Sequence, residues 1–208
     1  MKEPYRLPLF PLPMVLFPET LVPLHIFEPR YRQMVSDVLE GDKRFGILYH
    51  DPDDSGPFMN ESGRVGTVAL VRKHQPLPDG RSMILVKGSE RFQIHREVES
   101  ESLYYEALVR PYSDEPSPEA VSDLIARRKR SLALFKNVLQ TQAHVPSALP
   151  SFSVKREISF RLAAVVRMDP FWQQEFLELR DEQARLNRLD PVFQAGIERW
   201  WTQKGPEA

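Results

Sequence analysis

The sequence predicts an α+β fold in which strands come first and helices follow. Up to about Glu115, short apolar segments alternate with polar residues and are separated by turn residues, which is typical of strands. Beyond it, apolar residues recur three and four positions apart, as they do on one face of a helix. Charge changes at the same place, with 14 basic and 18 acidic residues in 1–115 against 14 and 11 in 116–208. We therefore expect two subdomains, one at 1–115 and one at 116–208.

The N-terminal segment is rich in proline, with seven of the 19 prolines in the first 29 residues. The apolar residues 7–24 could cross a bilayer by length, but five prolines interrupt them, and each interior proline costs a helix about 3 kcal/mol. The small-residue cleavage site of a secretory leader does not follow them. These features predict short extended segments in a cytoplasmic protein that has no membrane helix.

One helix and five further strands are expected before residue 115. Pro29 suits the first turn of the helix, Gly41 follows its end, and Tyr31 and Val38 belong to its apolar face. The turn signal Pro-Asp-Gly at 78–80 precedes a strand. The strands are expected at 45–49, 65–71, 83–86, 91–95 and 105–110. Many short strands with turns between them favour a small barrel or sandwich.

Four helices are expected after residue 115. Ser117 and Pro118 are typical of a helix start, and a second helix is expected at 153–167. The pairs Asp169-Pro170 and Asp190-Pro191 each combine a capping residue with a first-turn proline. The first pair therefore predicts the start of a third helix, and the second pair either begins or kinks a fourth.

Composition and motifs exclude several kinds of chemistry. The absence of cysteine excludes disulfides, thiolate metal sites and cysteine nucleophiles, and a net charge of −1 provides no general attraction for nucleic acid. Gly41 and Gly46 have the spacing of a phosphate-binding loop, but Ile47 and Leu48 follow where Lys and Ser or Thr are needed. We therefore predict no catalytic residue, no cofactor and no metal site.

Three features of the sequence are candidates for contact with a partner. Phe58 and Met59 lie in a polar loop, where they either project as two exposed apolar side chains or fold back onto the strands. Trp200 and Trp201 point about 100° apart on the last helix, so that one can pack in the core while the other anchors a partner. The basic run at 127–130 spreads over a whole helical turn, which favours a solvated helix face over a polyanion-binding patch.

Several segments resemble the start of the Lon N-terminal domain family. The resemblance begins with Leu-Pro-Leu-Phe-Pro-Leu-Pro at 7–13, Val-Leu-Phe-Pro at 15–18 and Leu-His-Ile-Phe-Glu-Pro-Arg-Tyr-Arg at 24–32. It continues in the family's order with Val-Gly-Thr-Val-Ala at 65–69, Asp-Gly-Arg at 79–81 and Gly-Ser-Glu-Arg-Phe at 88–92. The chain departs from the family at Glu19, where glycine usually follows Phe-Pro, and at Asp190-Pro191, within a helix that is often continuous.

The resemblance implies a PUA-like β-barrel with one inserted helix, followed by a C-terminal helical bundle. In Lon this domain engages substrates, whereas the nucleotide-binding and Ser–Lys proteolytic domains lie further along the chain. The resemblance therefore implies a stand-alone, non-enzymatic substrate-binding domain. At single positions it implies structural roles: Phe27 and Tyr31 pack at the helix start, Arg30 and Arg32 pair with carboxylates, and Gly88 serves a turn.

Three functions are open on the sequence alone. The first is a non-catalytic module that binds exposed segments of unfolded client proteins or of a partner protein, as a monomer or weak homodimer. The second is RNA binding, because PUA-like barrels also occur in RNA-binding proteins, although the negative charge of the first half opposes it. The third is a hydrolase, because a catalytic triad can form from residues far apart in sequence. We favour the first and expect contact with neither nucleic acid nor membrane.

Overall fold

The fold is taken from a computed structural model, which describes residues 3–53, 58–116, 121–141, 151–166 and 168–204, without the side chains of 141 and 199–204. The chain divides into two compact units. The first consists of residues 1–113 with 168–178, and the second of residues 114–167 with 179–208. The segment 168–178, which the predicted boundary at residue 115 assigns to the helical half, thus groups with the strands.

Within the described residues the chain forms six strands and five helices, which confirms the α+β class. In order these are β1 (Tyr5–Leu12), β2 (Leu21–Ile26), α1 (Pro29–Glu40), β3 (Arg44–Tyr49), β4 (Val65–Pro76), β5 (Ser82–Glu97), β6 (Tyr105–Pro111), α2 (Val121–Thr141), α3 (Ser159–Ala163), α4 (Pro170–Glu178) and α5 (Glu182–Lys204). The strands predicted at 83–86 and 91–95 are one continuous strand, β5, because Gly88 between them is extended rather than part of a turn.

All six strands belong to one sheet, in the order β2-β5-β4-β3-β1-β6. β1 and β3 are parallel, and the other neighbours are antiparallel. Because β5 also pairs with β6, the five strands other than β2 close into a ring of pairings. Among the described strands β2 pairs with β5 alone, so β2 lies at the free end of the sheet.

Phe92 of β5 is fully buried inside this sheet and packs against two glycines. A Cβ atom on Gly46 of β3 would lie 2.6 Å from the Phe92 ring, and one on Gly66 of β4 would lie 2.7 Å from it. Carbon atoms do not pack so closely, so both positions need glycine if the ring is to fill the interior.

α1 begins at Pro29 and ends before Gly41, as the sequence predicts. Its buried face consists of Tyr31, Met34, Val35 and Val38. The Tyr31 ring lies 4.1 Å from the ring of Phe10 on β1, between ring centroids. The prediction that Phe27 packs at the helix start is wrong, since this side chain is exposed.

The segment before β2 contacts β5 closely at Gly88. The N–H of Glu19 donates to the Gly88 carbonyl oxygen, and the N–H of Gly88 donates to the Thr20 carbonyl oxygen, each at 2.9 Å. A Cβ on Gly88 would overlap the carbonyl oxygen of Phe17, so glycine is needed here for close backbone contact and not for a turn. Glu19 has φ of 63°, the left-handed conformation that favours glycine.

The second unit contains α2, α3 and α5. The helix predicted at 153–167 is confined to α3, because Glu182 accepts the N–H of Ile158 at 3.0 Å and so removes it from helical pairing. α5 runs through Pro191 without a new start. Asp181 caps it by accepting the Ala184 N–H at 2.9 Å, whereas Asp190 accepts the Ser131 hydroxyl at 2.6 Å.

Two buried arginines form ion pairs within the second unit, and only the first has a buried partner. Arg128 of α2 donates through Nε to both carboxylate oxygens of Glu182 at 3.0 Å. Arg185 of α5, which is fully buried, binds both carboxylate oxygens of Asp114 at 2.7 and 2.6 Å. The basic run at 127–130 is therefore only partly a solvated face, since Lys129 and Arg130 are exposed and Arg128 is buried.

Candidate functional site

An apolar surface covers the outer face of β2 and the adjoining part of β5, and we call it the edge patch. Leu21 and Phe27 are 58% and 57% exposed, and Met83 is 38% exposed. Isolated exposed apolar residues are common, whereas neighbouring ones on one face are candidates for an interaction surface. The complete edge patch consists of Leu21, Pro23, His25, Phe27, Met83 and Leu85.

Strand alternation explains why these residues share a face. Leu24 and Ile26 point into the core and are buried, so their neighbours along β2 point outward. The register with β5 places His25 opposite Met83 and Pro23 opposite Leu85. Side chains directly opposite each other on an antiparallel pair are in contact distance, so the edge patch is one continuous surface.

The free edge of β2 adds backbone hydrogen-bonding groups to this surface. No described strand pairs with the outer side of β2, which leaves the N–H and C=O groups of that side available. Pro23 lacks an N–H, and proline is tolerated in a sheet at such an edge position. An extended peptide could therefore combine main-chain bonds with apolar contact here.

Ion pairs lie at the margins of the edge patch. Lys87, opposite Leu21, pairs with Glu19 at 2.7 Å. Arg81, immediately before β5, pairs with Asp79 at 2.6 Å. The Arg81 bond and backbone bonds lower the pKa of the Asp79 carboxyl, so Asp79 is ionised at neutral pH. The Asp79–Arg81 pair lies within the β4–β5 turn, and the Glu19–Lys87 pair joins the segment before β2 to β5.

A second feature of the first unit is a pocket of about 400 Å³ beside the loop before β4. It is lined by Tyr49, His50, Asp51, Met59, Glu61, Arg64 and Phe171, and we call it the loop pocket. Arg64 shapes it by donating to the carbonyl oxygens of Met59 at 2.8 Å and Tyr49 at 2.5 Å. Burial and the nearby Asp51 carboxylate raise the pKa of the Tyr49 hydroxyl, so this group is neutral at physiological pH.

The structure separates the two loop residues that the sequence marks as binding candidates. Phe58 folds back onto the strands: it is 8% exposed, and its ring lies 5.0 Å from the Tyr105 ring centroid. Met59 is 55% exposed and lines the loop pocket. Trp200 and Trp201 lie on α5, but their side chains are outside the described residues.

Sequence reasoning missed the edge patch entirely. The segment Leu-Val-Pro-Leu-His-Ile-Phe at 21–27 is apolar at nearly every position, so its periodicity does not show which side chains are buried. The available signal was Pro23, which assigns the segment to a sheet edge, combined with apolar residues on both sides of it. An edge strand that is apolar on both faces must leave one apolar face in solvent.

Within the described residues, no helix has the length and hydropathy to cross a membrane. An exposed apolar sheet edge is a kind of surface to which an extended polypeptide can add as a further strand. The fold itself has a counterpart in a known family. The chain belongs to the family of the ATP-dependent protease La (LON) substrate-binding domain, whose model matches residues 6–190.

Curated relatives show the same kinship over most of this chain. The Lon protease of Flavobacterium johnsoniae is 28% identical over 154 residues, which are 73% of this chain and 19% of that protein. The Lon protease of Cytophaga hutchinsonii is 25% identical over 94% of this chain and 25% of that protein. The chain thus spans about a fifth to a quarter of the length of these relatives.

Two solved structures share the fold. The Lon N-terminal domain protein from Xanthomonas campestris has a TM-score of 0.60 and 23% identity, covering 89% of this chain and 96% of that chain. The N-terminal domain of the Mycobacterium avium complex Lon protease has a TM-score of 0.63 and 15% identity, covering 91% and 98%. The fold of this chain is therefore that of Lon N-terminal domains.

Proposed function

We propose that this protein binds exposed apolar segments of client or partner proteins through the edge patch, without catalysing a reaction. Membership of a substrate-binding family supports a role in recognition. The observation that supports the location is the row of exposed apolar side chains along an unpaired strand edge. Localisation in the cytoplasm and a monomeric or weakly dimeric state stay predictions.

The binding mode follows from the groups that the edge patch offers. Full burial of a Leu, Phe or Met side chain stabilises a complex by about 1.5–3 kcal/mol, whereas association costs about 4–15 kcal/mol. Leu21, Phe27 and Met83 are already partly covered, so their contact alone gives weak binding. Main-chain bonds along β2 are needed in addition, which favours an extended client segment over a folded surface.

The loop pocket offers a smaller contact for the same clients. Met59 and Phe171 are exposed there and present apolar area beside polar groups. Phe58 is excluded as an anchor in this conformation because it is buried. Trp200 and Trp201 stay candidate anchors on the sequence argument alone.

The test is fluorescence anisotropy of a labelled, permanently unfolded polypeptide titrated with the protein. The triple variant Leu21→Ser, Phe27→Ser and Met83→Ser removes three apolar side chains, so we expect affinity to fall at least tenfold. Leu103→Ser is the matched control, because Leu103 is also an exposed apolar residue of the first unit but lies outside the edge patch. Equal affinity of the folded triple variant and the control would reject the edge patch as the binding site. Displacement of the polypeptide by RNA would favour the nucleic-acid alternative.

A further inference from the structure

The strands around the edge patch carry more basic than acidic residues, although the first half of the chain is negative. The segments 19–32 and 70–88, which contain β2 and most of the hairpin of β4 and β5, carry six basic and three acidic residues. Residues 1–115 as a whole carry 14 basic and 18 acidic residues. The excess of basic charge is therefore local to the strands that present the edge patch.

The three acidic side chains in these segments are already paired. Glu19 binds Lys87 at 2.7 Å, Glu28 binds Arg30 at 2.8 Å and Asp79 binds Arg81 at 2.6 Å. Three basic side chains are left over, and within the described residues they have no carboxylate within ion-pair distance. They are Arg32, Arg72 and Lys73. The prediction that Arg30 pairs with a carboxylate is thus confirmed, whereas Arg32 has no such pair among the described residues.

One of the unpaired charges borders the edge patch directly, and a second lies at the turn that leads into β5. Lys73 of β4 lies opposite Leu85 of β5, which is itself opposite Pro23 of β2. Arg32 of α1 lies against Gly80, in the turn between β4 and β5, since a Cβ on Gly80 would overlap its guanidinium group. Positive charge therefore lies on the β4 side of the edge patch and beside the β4–β5 turn. At the Leu21 end, Lys87 is neutralised by Glu19.

We infer that the edge patch selects apolar segments that are flanked by acidic residues. This inference rests on the proposed function and adds a substrate class to it. Carboxylates that flank a segment lying over Met83 and Leu85 would approach Lys73, and those at the Phe27 end would approach Arg32 beside the β4–β5 turn. Basic flanks would instead approach like charge. Two exposed ion pairs of ordinary strength correspond to a preference of roughly twofold to thirtyfold in Kd. Salt reduces this preference because the charges are exposed.

The experiment compares three labelled peptides with the same seven-residue apolar centre and two flanking residues on each side. The flanks are Glu, Ser or Lys, and the whole chain is titrated against each peptide at low and at physiological ionic strength. We expect the Glu-flanked peptide to bind most tightly and the Lys-flanked peptide most weakly, with the difference shrinking as salt is added. Unlabelled RNA is added as a competitor to each complex.

Charge variants then locate the effect. Arg32→Gln with Lys73→Gln should abolish the preference for acidic flanks while leaving the Ser-flanked peptide bound as before. The matched control, Lys129→Gln with Lys136→Gln, removes two exposed positive charges from α2 and should keep the preference. Equal melting temperatures of the two double variants show that both are folded.

The outcomes separate the two proposals. Binding of the three peptides with equal affinity overturns the inference and leaves the proposed function in place. A preference that survives Arg32→Gln with Lys73→Gln, or that disappears in the control variant, also overturns the inference. Absence of binding by every peptide rejects the proposed function and the inference with it. Displacement of the Glu-flanked peptide by RNA at low salt assigns the basic margin to polyanions instead.

Discussion

The two units are stabilised by different interactions. In the first unit the buried side chains are almost all apolar, and within the described residues its buried charged groups are Arg91 and Glu106. The second, smaller unit buries four charged side chains, Arg128, Glu182, Arg185 and Asp190. The first unit also keeps apolar residues outside its core, in the edge patch. The difference teaches that the surface proposed for binding and the groups that stabilise the helices are separate sets of residues, which substitutions can test one at a time.

The largest expected effect comes from Arg185→Met in the second unit. Arg185 donates to Asp114, to the Ser159 hydroxyl at 2.7 Å and to the Leu179 carbonyl oxygen at 2.8 Å, and its guanidinium lies 4.2 Å from the Phe160 ring centroid. Replacing Arg185 by methionine breaks all of these contacts of a fully buried guanidinium at once. We expect the free energy of unfolding to fall by about 3 kcal/mol or more, measured by urea denaturation.

Lys129→Met is the control for this substitution, because it also removes a positive charge from a helix of the second unit but at an exposed position. Its effect should stay within about 0.5 kcal/mol. Client binding through the edge patch should be unchanged in any folded Arg185 variant. If the free energy of unfolding fell by less than about 1 kcal/mol in Arg185→Met, the stability of the second unit would not depend on this buried charge.

A smaller effect, on the pH dependence of stability, is expected from substituting two carboxylates, one in each unit. Their pKa values shift in opposite directions. Burial raises the pKa of Glu157 in the second unit, and the charge of Glu182 adds to the shift against the opposing bond from Ser159. Burial also disfavours ionisation of Glu106 in the first unit, but bonds from Arg6 and Ser100 outweigh it and lower the pKa. The native state thus favours protonated Glu157 and ionised Glu106.

The direction of each pKa shift fixes how the stability contributed by that carboxylate changes with pH. The contribution of Glu157 is fully present below its ordinary pKa of 4.5 and is lost as pH rises through the raised value. The contribution of Glu106 is present above 4.5 and is lost as pH falls through the lowered value. Relative to the parent, Glu157→Gln should therefore gain stability, and Glu106→Gln should lose it, as pH is raised from 3 to 8.

The change at Glu106 is expected to be about 1 kcal/mol, because Arg6 is half exposed and solvent weakens its pair with Glu106. For Glu157 the expected result is the opposite sign. Denaturant titrations of the three proteins at several pH values measure it. If the free energy of unfolding of both variants followed the same pH dependence as that of the unsubstituted protein, the opposite environments described for the two carboxylates would be contradicted.

Local patterns predicted the elements of this fold better than its contacts. Pro29 and Gly41 set both ends of α1 correctly, because helix starts and ends depend on nearby residues. The same reasoning failed at Asp190, whose carboxylate binds Ser131 on another helix, and at Gly88, which meets the backbone of Phe17. The edge patch was missed for the same reason, since the outward face of β2 depends on its pairing with β5. Contacts between residues far apart in sequence leave no periodic signal.

The smallest expected effect on stability comes from substituting Glu19. This residue stands where the family usually has glycine, and it lies next to the edge patch. Glu19 has φ of 63°, which costs a residue with a side chain about 1–2 kcal/mol, whereas glycine adopts it freely. Glu19→Gly and Glu19→Ala both remove the exposed pair with Lys87, so their difference isolates the backbone conformation. We expect the glycine variant to be more stable than the alanine variant by about 0.5–1 kcal/mol, measured by urea denaturation.

Both variants also release Lys87 beside Leu21, which adds a positive charge to the neutral end of the edge patch. They should therefore bind the Glu-flanked peptide about twofold to fivefold more tightly than the parent and leave the Ser-flanked peptide unaffected. Because glycine and alanine differ in backbone freedom but share this charge change, equal gains in affinity would assign the effect to Lys87. A gain confined to Glu19→Gly would assign it to the conformation of the segment before β2.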